Sequence, residues 1–403
     1  MLSATSAPVI EATLPVVGEH LDAITGVFYD TMLGENPGLL DLFSRSGQAT
    51  GEQRGALAGA VAAFASHLVG AGPDPAVFGH IVERIAQRHC ALGVRPEQYA
   101  MVGRYLLGAV RMVLGDAVTP AVAAAWDEVY WLFAARLIGR EARLYAEAGV
   151  NDDPWLEVAV VSRVTEACDT VSFVLVPTDG GPAPVFRPGQ YVTVAADLPG
   201  QGRQLRQYSL SQAPAGGTLR ITVRRVRGSG GAPDGVVSGF LHDHVHAGDQ
   251  LRISRPYGDL VLRDTDAPLV LISAGVGITP MVAMLEHVAR TRPTREVTAV
   301  HADRSPDRHP LRADVRIHGS RLRTFHDLVW YEQPAGAADA YAGRPDPDLI
   351  PLHPDAEAYL CGPVPFMQMI RAGLQRRGLP DERIRYEVFG SEQWRPAPRP
   401  VPA

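Results

Sequence analysis

The spacing of apolar residues changes twice along this chain, and no single layer of secondary structure accommodates all three patterns. Residues 8 to about 148 carry apolar side chains at intervals of three and four, with glycine and proline between the periodic segments. That is the pattern of amphipathic helices. It breaks at Gly149-Val150-Asn151-Asp152-Asp153-Pro154. Short alternating or β-branched runs follow at 156–161, 171–176, 191–194, 219–226 and 251–254, punctuated by glycine, proline and aspartate. They indicate an antiparallel barrel or sandwich. From Pro268 a solid apolar run (268–272) leads through glycines into a helix from Pro280. Further short strands are expected at 297–300, 358–360 and 386–389, with a helix at 366–377. Strand–helix alternation implies a parallel sheet. The expected fold class is multi-domain: all-α at 1–148, an antiparallel β-barrel at 152–262, and an α/β parallel-sheet unit at 268–403. The Pro/Arg-rich tail from Arg395 is expected to be disordered.

Composition narrows the chemistry. The formal charge is 38 minus 44, or −6, with no basic stretch of the kind that binds phosphate backbones, so nucleic acid is not an expected partner. All 38 cationic residues are arginine. With no lysine, Schiff-base chemistry, pyridoxal-phosphate attachment and a P-loop lysine are excluded. Three distant cysteines (Cys90, Cys168, Cys361) make no disulfide framework, zinc site or iron–sulfur cluster. No apolar run approaches the roughly 18 to 20 residues of a membrane span, and Met1-Leu2-Ser3-Ala4 lacks the order of a secretory signal. A cytoplasmic protein is expected.

Three helices carry an inward polar residue. Phe78, Ile81, Val82, Ile85, His89 and Leu92 share one face, ended by Gly93 and Pro96, whereas His80 shares its face with Arg84 and Gln87. Tyr99 begins a second stripe with Val102, Leu106, Ala109 and Val113, and Glu141 ends a third after Trp126, Tyr130, Phe133 and Leu137. A core histidine with a local hydrogen bond would look the same. Glu141 could also snorkel to solvent, or be neutralised by Arg140 or Arg143. Alternatively the three polar residues satisfy one another, because a buried acid is costly unless paired. Around an iron, a ligating imidazole wants an acceptor for its second N–H.

Phe28-Tyr29-Asp30, Asp41-Leu42-Phe43, Gln53-Arg54-Gly55-Ala56-Leu57, Ile85-Ala86-Gln87-Arg88-His89, Arg95-Pro96-Glu97-Gln98-Tyr99 and Arg140-Glu141 together resemble the globin domain of bacterial flavohaemoglobins. The resemblance runs in order over the whole helical third. It implies a b-type haem with His89 as the proximal iron ligand, and Tyr99 and Glu141 completing a hydrogen-bonded charge relay. It implies Tyr29 as the distal residue facing the gaseous ligand, with Gln53, Leu57 and Phe43 lining that pocket. Arg88 stands where the family usually has lysine, near haem and flavin; the charge is kept and its geometry changes.

In the middle third, Arg206-Gln207-Tyr208-Ser209 offers an arginine for a pyrophosphate, a tyrosine for a flavin ring and a serine for the ring edge. Arg187-Pro188-Gly189-Gln190-Tyr191 precedes it. Gly235-Val236-Val237-Ser238 offers N–H groups at a helix start. In the last third, Gly275, Val276, Gly277, Ile278, Thr279 and Pro280 form a glycine turn into a helix, which a purely structural turn would also show. Cys361, Gly362 and Pro363 make a second turn, and Glu387, Val388 and Phe389 reach the same edge. In this order they are similar to the ferredoxin–NADP reductase type of flavin–nicotinamide module, over residues 155 to about 391. That resemblance implies FAD contacts at Tyr191, Arg206 to Ser209, and Val388, Phe389, Gly390 and Ser391. It implies a nicotinamide-nucleotide site at residues 275–280 beside Cys361. The chain departs from the family in a longer loop at 228–235, next to the Ser238 phosphate contact, and in its tail.

A hydride donor, a flavin that splits the electron pair and a haem form one line of transfer. The relay would make His89 electron-rich, favouring oxygen activation over storage. The function implied is a nitric oxide dioxygenase, oxidising NO with O2 to nitrate with electrons from NAD(P)H through FAD, and so detoxifying NO. The same parts would also serve an O2 or NO sensor or store with its own reductase, or a flavin, quinone or peroxide reductase. NO and O2 are the expected small-molecule partners, and a monomer is expected. After the second parallel strand, Arg304 suits a 2′-phosphate and Asp303 opposes one, which leaves NADH and NADPH both open.

Overall fold

The computed structural model describes residues 2–41, 52–71, 75–214, 216–228 and 233–389. The chain divides into two compact units, residues 1–155 with 199–205, and residues 156–198 with 206–403. The expected tail from Arg395 lies outside the described residues. No described helix is long and apolar enough to cross a membrane.

The first unit is helical. Its described helices are α1 (Ala7–Glu19), α2 (Leu21–Glu35), α3 (Glu52–Leu68), α4 (Pro75–Leu92), α5 (Glu97–Leu114) and α6 (Pro120–Glu147). Helix α6 starts where its sequence says it should: Pro120 takes the first turn, and the Thr119 hydroxyl accepts the Val122 N–H at 3.3 Å. Its expected stripe is buried throughout, from Trp126 through Tyr130, Phe133 and Leu137 to Glu141. Helix α4 stops at Gly93, whose φ of 76° is left-handed. α2 packs on α5 and α4 on α6, so the stripes meet in the interior. Gln87, expected on the polar face, is buried instead, because its amide donates to Glu83 at 2.8 Å and so has a partner inside.

Two six-stranded sheets make up most of the second unit. The first has the order β4-β3-β6-β1-β2-β5, from β1 (Trp155–Ala167), β2 (Thr170–Pro177), β3 (Tyr191–Leu198), β4 (Gly202–Ser209), β5 (Leu219–Arg224) and β6 (Gln250–Ser254). The β1–β2, β2–β5 and β3–β6 pairings are antiparallel. Alternate residues such as Val158 and Val160, Val171 and Phe173, and Ile221 and Val223 enter one core, closed by Val237 and Leu241 of α7 (Val236–His244). β1 runs six residues beyond the expected 161. Ser162, Arg163 and Thr165 pair with β2 despite their polarity, across register shifts between Val160 and Ser162 and between Thr165 and Ala167.

The second sheet is parallel, in the order β10-β9-β8-β7-β11-β12. Its strands are β7 (Leu269–Ala274), β8 (Val297–Asp303), β9 (Phe325–Tyr331), β10 (Tyr341–Ala342), β11 (Glu357–Cys361) and β12 (Ile384–Glu387). Leu269 and Leu271 face a core with α8 (Ile278–Thr291), while Val270 and Ile272 face one with α10 (Val364–Arg376). Burial on both faces explains the unbroken apolar run at 268–272. Three elements are not foreseen: β9, whose His326 and Asp327 interrupt its apolar pattern, the two-residue β10, and the short α9 (Arg312–Gly319). β12 starts at Ile384 rather than 386, because its register against β11 runs from Ala358–Ile384 to Cys361–Glu387. Val388 and Phe389 therefore follow the strand.

Candidate functional site

In the helical unit the three inward polar residues converge. His89 Nδ1 lies 2.8 Å from Glu141 Oε1 and 2.9 Å from the Tyr99 hydroxyl, and the Tyr99 hydroxyl donates to the same carboxylate oxygen at 2.5 Å. Glu141 is 2% exposed and Tyr99 is buried. Burial, and then the adjacent Glu141 carboxylate, push the Tyr99 phenol far above its ordinary value, so it remains a donor. Neither neighbouring arginine neutralises Glu141. Arg140 makes two hydrogen bonds to Glu83, at 2.6 and 2.9 Å, and Arg143 donates to the Gly139 carbonyl. The Arg140–Glu83 pair also ties α6 to α4, the two helices whose side chains meet at His89. With Nδ1 engaged, the imidazole keeps Nε2 for another partner. A histidine so held fits an axial ligand to haem iron.

Tyr29 is buried on α2 beside Phe28, ring centroids 4.7 Å apart. Arg88 is exposed on α4, one residue before His89. Gln53 and Leu57 fall on the backbone of α3, but their side chains, like all of Phe43, lie outside the described residues.

In the second unit, β4 carries Arg206, Gln207, Tyr208 and Ser209 in succession. Burial holds the Arg206 guanidinium below its ordinary value, and burial raises the Tyr208 phenol. Ser209 Oγ and Gln207 Nε2 are buried with no hydrogen-bond partner among the described residues. Orphaned donors beside a desolvated guanidinium fit a polar, anionic ligand such as FAD. Tyr191 is buried and exchanges backbone hydrogen bonds with Tyr257 at 2.8 and 2.9 Å. Ser238 is committed elsewhere: its hydroxyl donates to the Gly235 carbonyl and accepts the Val226 N–H. The main-chain N–H groups at that helix start remain the ones the sequence offers to a phosphate. Phe389 is 39% exposed past β12, while Gly390 and Ser391 lie outside the described residues.

The parallel sheet changes direction of winding at β7, with β8 on one side and β11 on the other. Ligands of such sheets bind beyond the strand C-termini at this point. The turn of Gly275, Val276 and Gly277 leaves β7 there, and Ile278, Thr279 and Pro280 open α8 with the Thr279 hydroxyl donating to the Val276 carbonyl at 3.0 Å. Cys361, Gly362 and Pro363 leave β11 beside it. A Cβ on Gly277 would lie 2.3 Å from the Cys361 carbonyl oxygen, so only glycine lets the two turns touch. His301, Ser273, Cys361 and Glu387 stand in register across β8, β7, β11 and β12. Burial raises the Cys361 thiol well above its ordinary value, which keeps it protonated. Sequence reasoning does not find Tyr130, whose hydroxyl donates to the Tyr99 carbonyl, or Arg224, which donates to Asp303 beside the β7 turn. Each sat in a regular stripe, and its partner is remote in sequence.

The comparisons agree with this architecture. The Globin family matches residues 26–137, the oxidoreductase FAD-binding domain residues 158–262, and the oxidoreductase NAD-binding domain residues 271–372. A flavohemoprotein of Bordetella pertussis is 44% identical, over 97% of this chain and 99% of its own. One of Chromobacterium violaceum is 42% identical at the same coverage. Among solved structures, the flavohemoglobin of Malassezia yamatoensis with bound FAD and heme superposes with a TM-score of 0.86 at 36% identity, over 96% of this chain and 100% of that one. The FAD/NAD-binding domain of a nitric oxide dioxygenase from Vibrio cholerae gives 0.55 at 37% identity, covering 58% of this chain and 98% of that one. With a globin joined to both oxidoreductase domains, and full-length relatives above 40% identity, this chain belongs to the flavohaemoprotein family and is an oxidoreductase.

Proposed function

We propose that the protein is a nitric oxide dioxygenase that converts NO and O2 to nitrate, with NAD(P)H as electron donor through FAD. The observation that carries the reading is the His89–Glu141–Tyr99 constellation, closed at 2.5 to 2.9 Å inside the globin unit. In this reading the domains run 1–148 for haem, 152–262 for FAD and 268–403 for the nicotinamide nucleotide. Haem, when bound, supplies an iron for gas binding and one-electron chemistry. His89 would hold it through Nε2. Glu141 accepts the Nδ1 hydrogen and makes the imidazole a stronger donor, and Tyr99 keeps that carboxylate oriented. Tyr29 would donate its hydroxyl hydrogen to the gaseous ligand, and the family resemblance assigns Gln53, Leu57 and Phe43 to the same pocket. Arg206 to Ser209 and Tyr191 hold FAD, and residues 275–280 with Cys361 receive the nicotinamide nucleotide. The reductase domain's likeness to that of a nitric oxide dioxygenase supports the same reading.

Charge balance sets the test. Each nitrate formed from NO and O2 takes up one electron, so a dioxygenase yields two nitrates per NAD(P)H. Rapid NAD(P)H oxidation that requires both gases, with that yield, is the expected result. Turnover independent of NO, or no turnover beyond slow haem reduction, would leave a reductase or a sensor instead.

A further inference from the structure

The loop after β8 carries two opposite charges in succession. Asp303 ends that strand, next to β7 and the Gly275–Gly277 turn. In doubly wound sheets an acidic residue here accepts the ribose 2′-hydroxyl, and a nearby arginine accommodates a 2′-phosphate. This chain has both, as Asp303 and Arg304.

The structure treats them differently. The Asp303 side chain is 4% exposed. Its Oδ2 accepts from Arg224 Nη2 at 2.8 Å, and its Oδ1 accepts the Arg304 main-chain N–H at 2.8 Å. His301 Nε2 lies 3.6 Å away, on a ring fixed by Ser273 and stacked on His309. Burial alone would raise the Asp303 carboxyl, but His301 and Arg224 outweigh it and hold the group below its ordinary value. Arg224 also donates to the Arg308 carbonyl and lies 3.3 Å from Asp169, and Arg308 pairs with Asp169 at 2.9 Å. Two aspartates and two arginines thus cancel within the fold. The other acid of the loop, Asp307, accepts the Ser305 hydroxyl. The Arg304 guanidinium is exposed and has no hydrogen-bond or ion-pair partner among the described residues.

We propose that this loop selects a 2′-phosphorylated coenzyme: Arg304 receives the 2′-phosphate of NADPH, while Asp303 is an internal anchor for Arg224. The inference rests on the reading of residues 275–280 as the nucleotide edge.

The test is equilibrium titration of the full-length, FAD-loaded protein with 2′,5′-ADP and with 5′-AMP, which carry the two kinds of ribose without the redox ring. Expected is tighter binding of 2′,5′-ADP by about ten-fold or more, the effect of one charge-assisted hydrogen bond. Arg304→Ala should abolish that preference while 5′-AMP affinity changes less than about two-fold. Asp303→Asn, which keeps the side-chain shape, should retain the preference. Equal or tighter binding of 5′-AMP by the wild type, or equal weakening of both ligands by Arg304→Ala, overturns the assignment to Arg304. Binding of neither nucleotide would instead remove the underlying reading of the edge, and this inference with it.

Discussion

The Tyr130 hydroxyl donates to the main-chain carbonyl of Tyr99 at 2.5 Å. Tyr130 belongs to α6 and Tyr99 to α5, so one side chain reaches into the backbone of the neighbouring helix. A Cβ on Gly103 would lie 2.4 Å from the Tyr130 ring. The small residue and the hydroxyl together fix the helix that carries the Tyr99 phenol towards Glu141.

Gly103→Ala should therefore destabilise the protein by about 1–3 kcal/mol, the usual cost of overpacking. Because the methyl meets the Tyr130 ring, the same change in a Tyr130→Ala background should cost at least ~1 kcal/mol less. Urea unfolding of the four proteins measures this, and equal costs in both backgrounds would contradict the contact.

His89→Ala should abolish haem retention, since the pocket loses its axial ligand. His80→Ala should keep full haem, because His80 is exposed. The pyridine haemochrome assay of the purified variants decides it; equal haem in both would move the ligand elsewhere.

Tyr29→Phe keeps the buried ring and deletes one hydroxyl. Oxygen dissociation should speed up and NO-dependent turnover fall by roughly ten-fold or more, as loss of a charge-assisted bond of about 1.5–3 kcal/mol requires. Haem content and flavin reduction should not change. Stopped-flow dissociation within about two-fold of wild type, ~0.4 kcal/mol, would make Tyr29 core filler.

Arg206→Ala should weaken FAD retention and leave the haem spectrum intact, because the lost bonds are to a pyrophosphate. Gel filtration followed by flavin quantification checks this, and stoichiometric FAD would refute the role.

Glu83 gives a pH signature. Burial would raise its carboxyl, but the hydrogen bonds from Arg140 and Gln87 and the Arg140 charge win and lower it. Its stabilising contribution is then complete above the unfolded value, about 4.3, and is lost as pH falls through the lower folded value. The stability difference between wild type and Arg140→Met should be flat from neutral pH to about 5 and shrink below that. A difference that grows on acidification would show that the pair does not act this way.

Much of this is legible in the sequence. The stripe ending in Glu141 is buried as its spacing implied, and the doubly buried β7 matches the run at 268–272. β9 escaped notice because its first residues are polar, and β12 was misplaced because its register is dictated by β11 rather than by its own sequence.

What the sequence determined by itself is what short-range periodicity carries: three kinds of layer, their order, and which side chains turn inward. It brought His89, Tyr99 and Glu141 to interior faces without deciding whether they touch. That depended on how α4, α5 and α6 pack, since His89 and Glu141 are 52 residues apart. The same holds for Asp303, whose charge next to Arg304 left the coenzyme open. Only the tertiary structure pairs that charge, by bringing Arg224 from another sheet, 79 residues away, to 2.8 Å. Charge is legible in a sequence, but its cancellation is not, because electrostatic pairing depends on distance through space and burial rather than on separation along the chain.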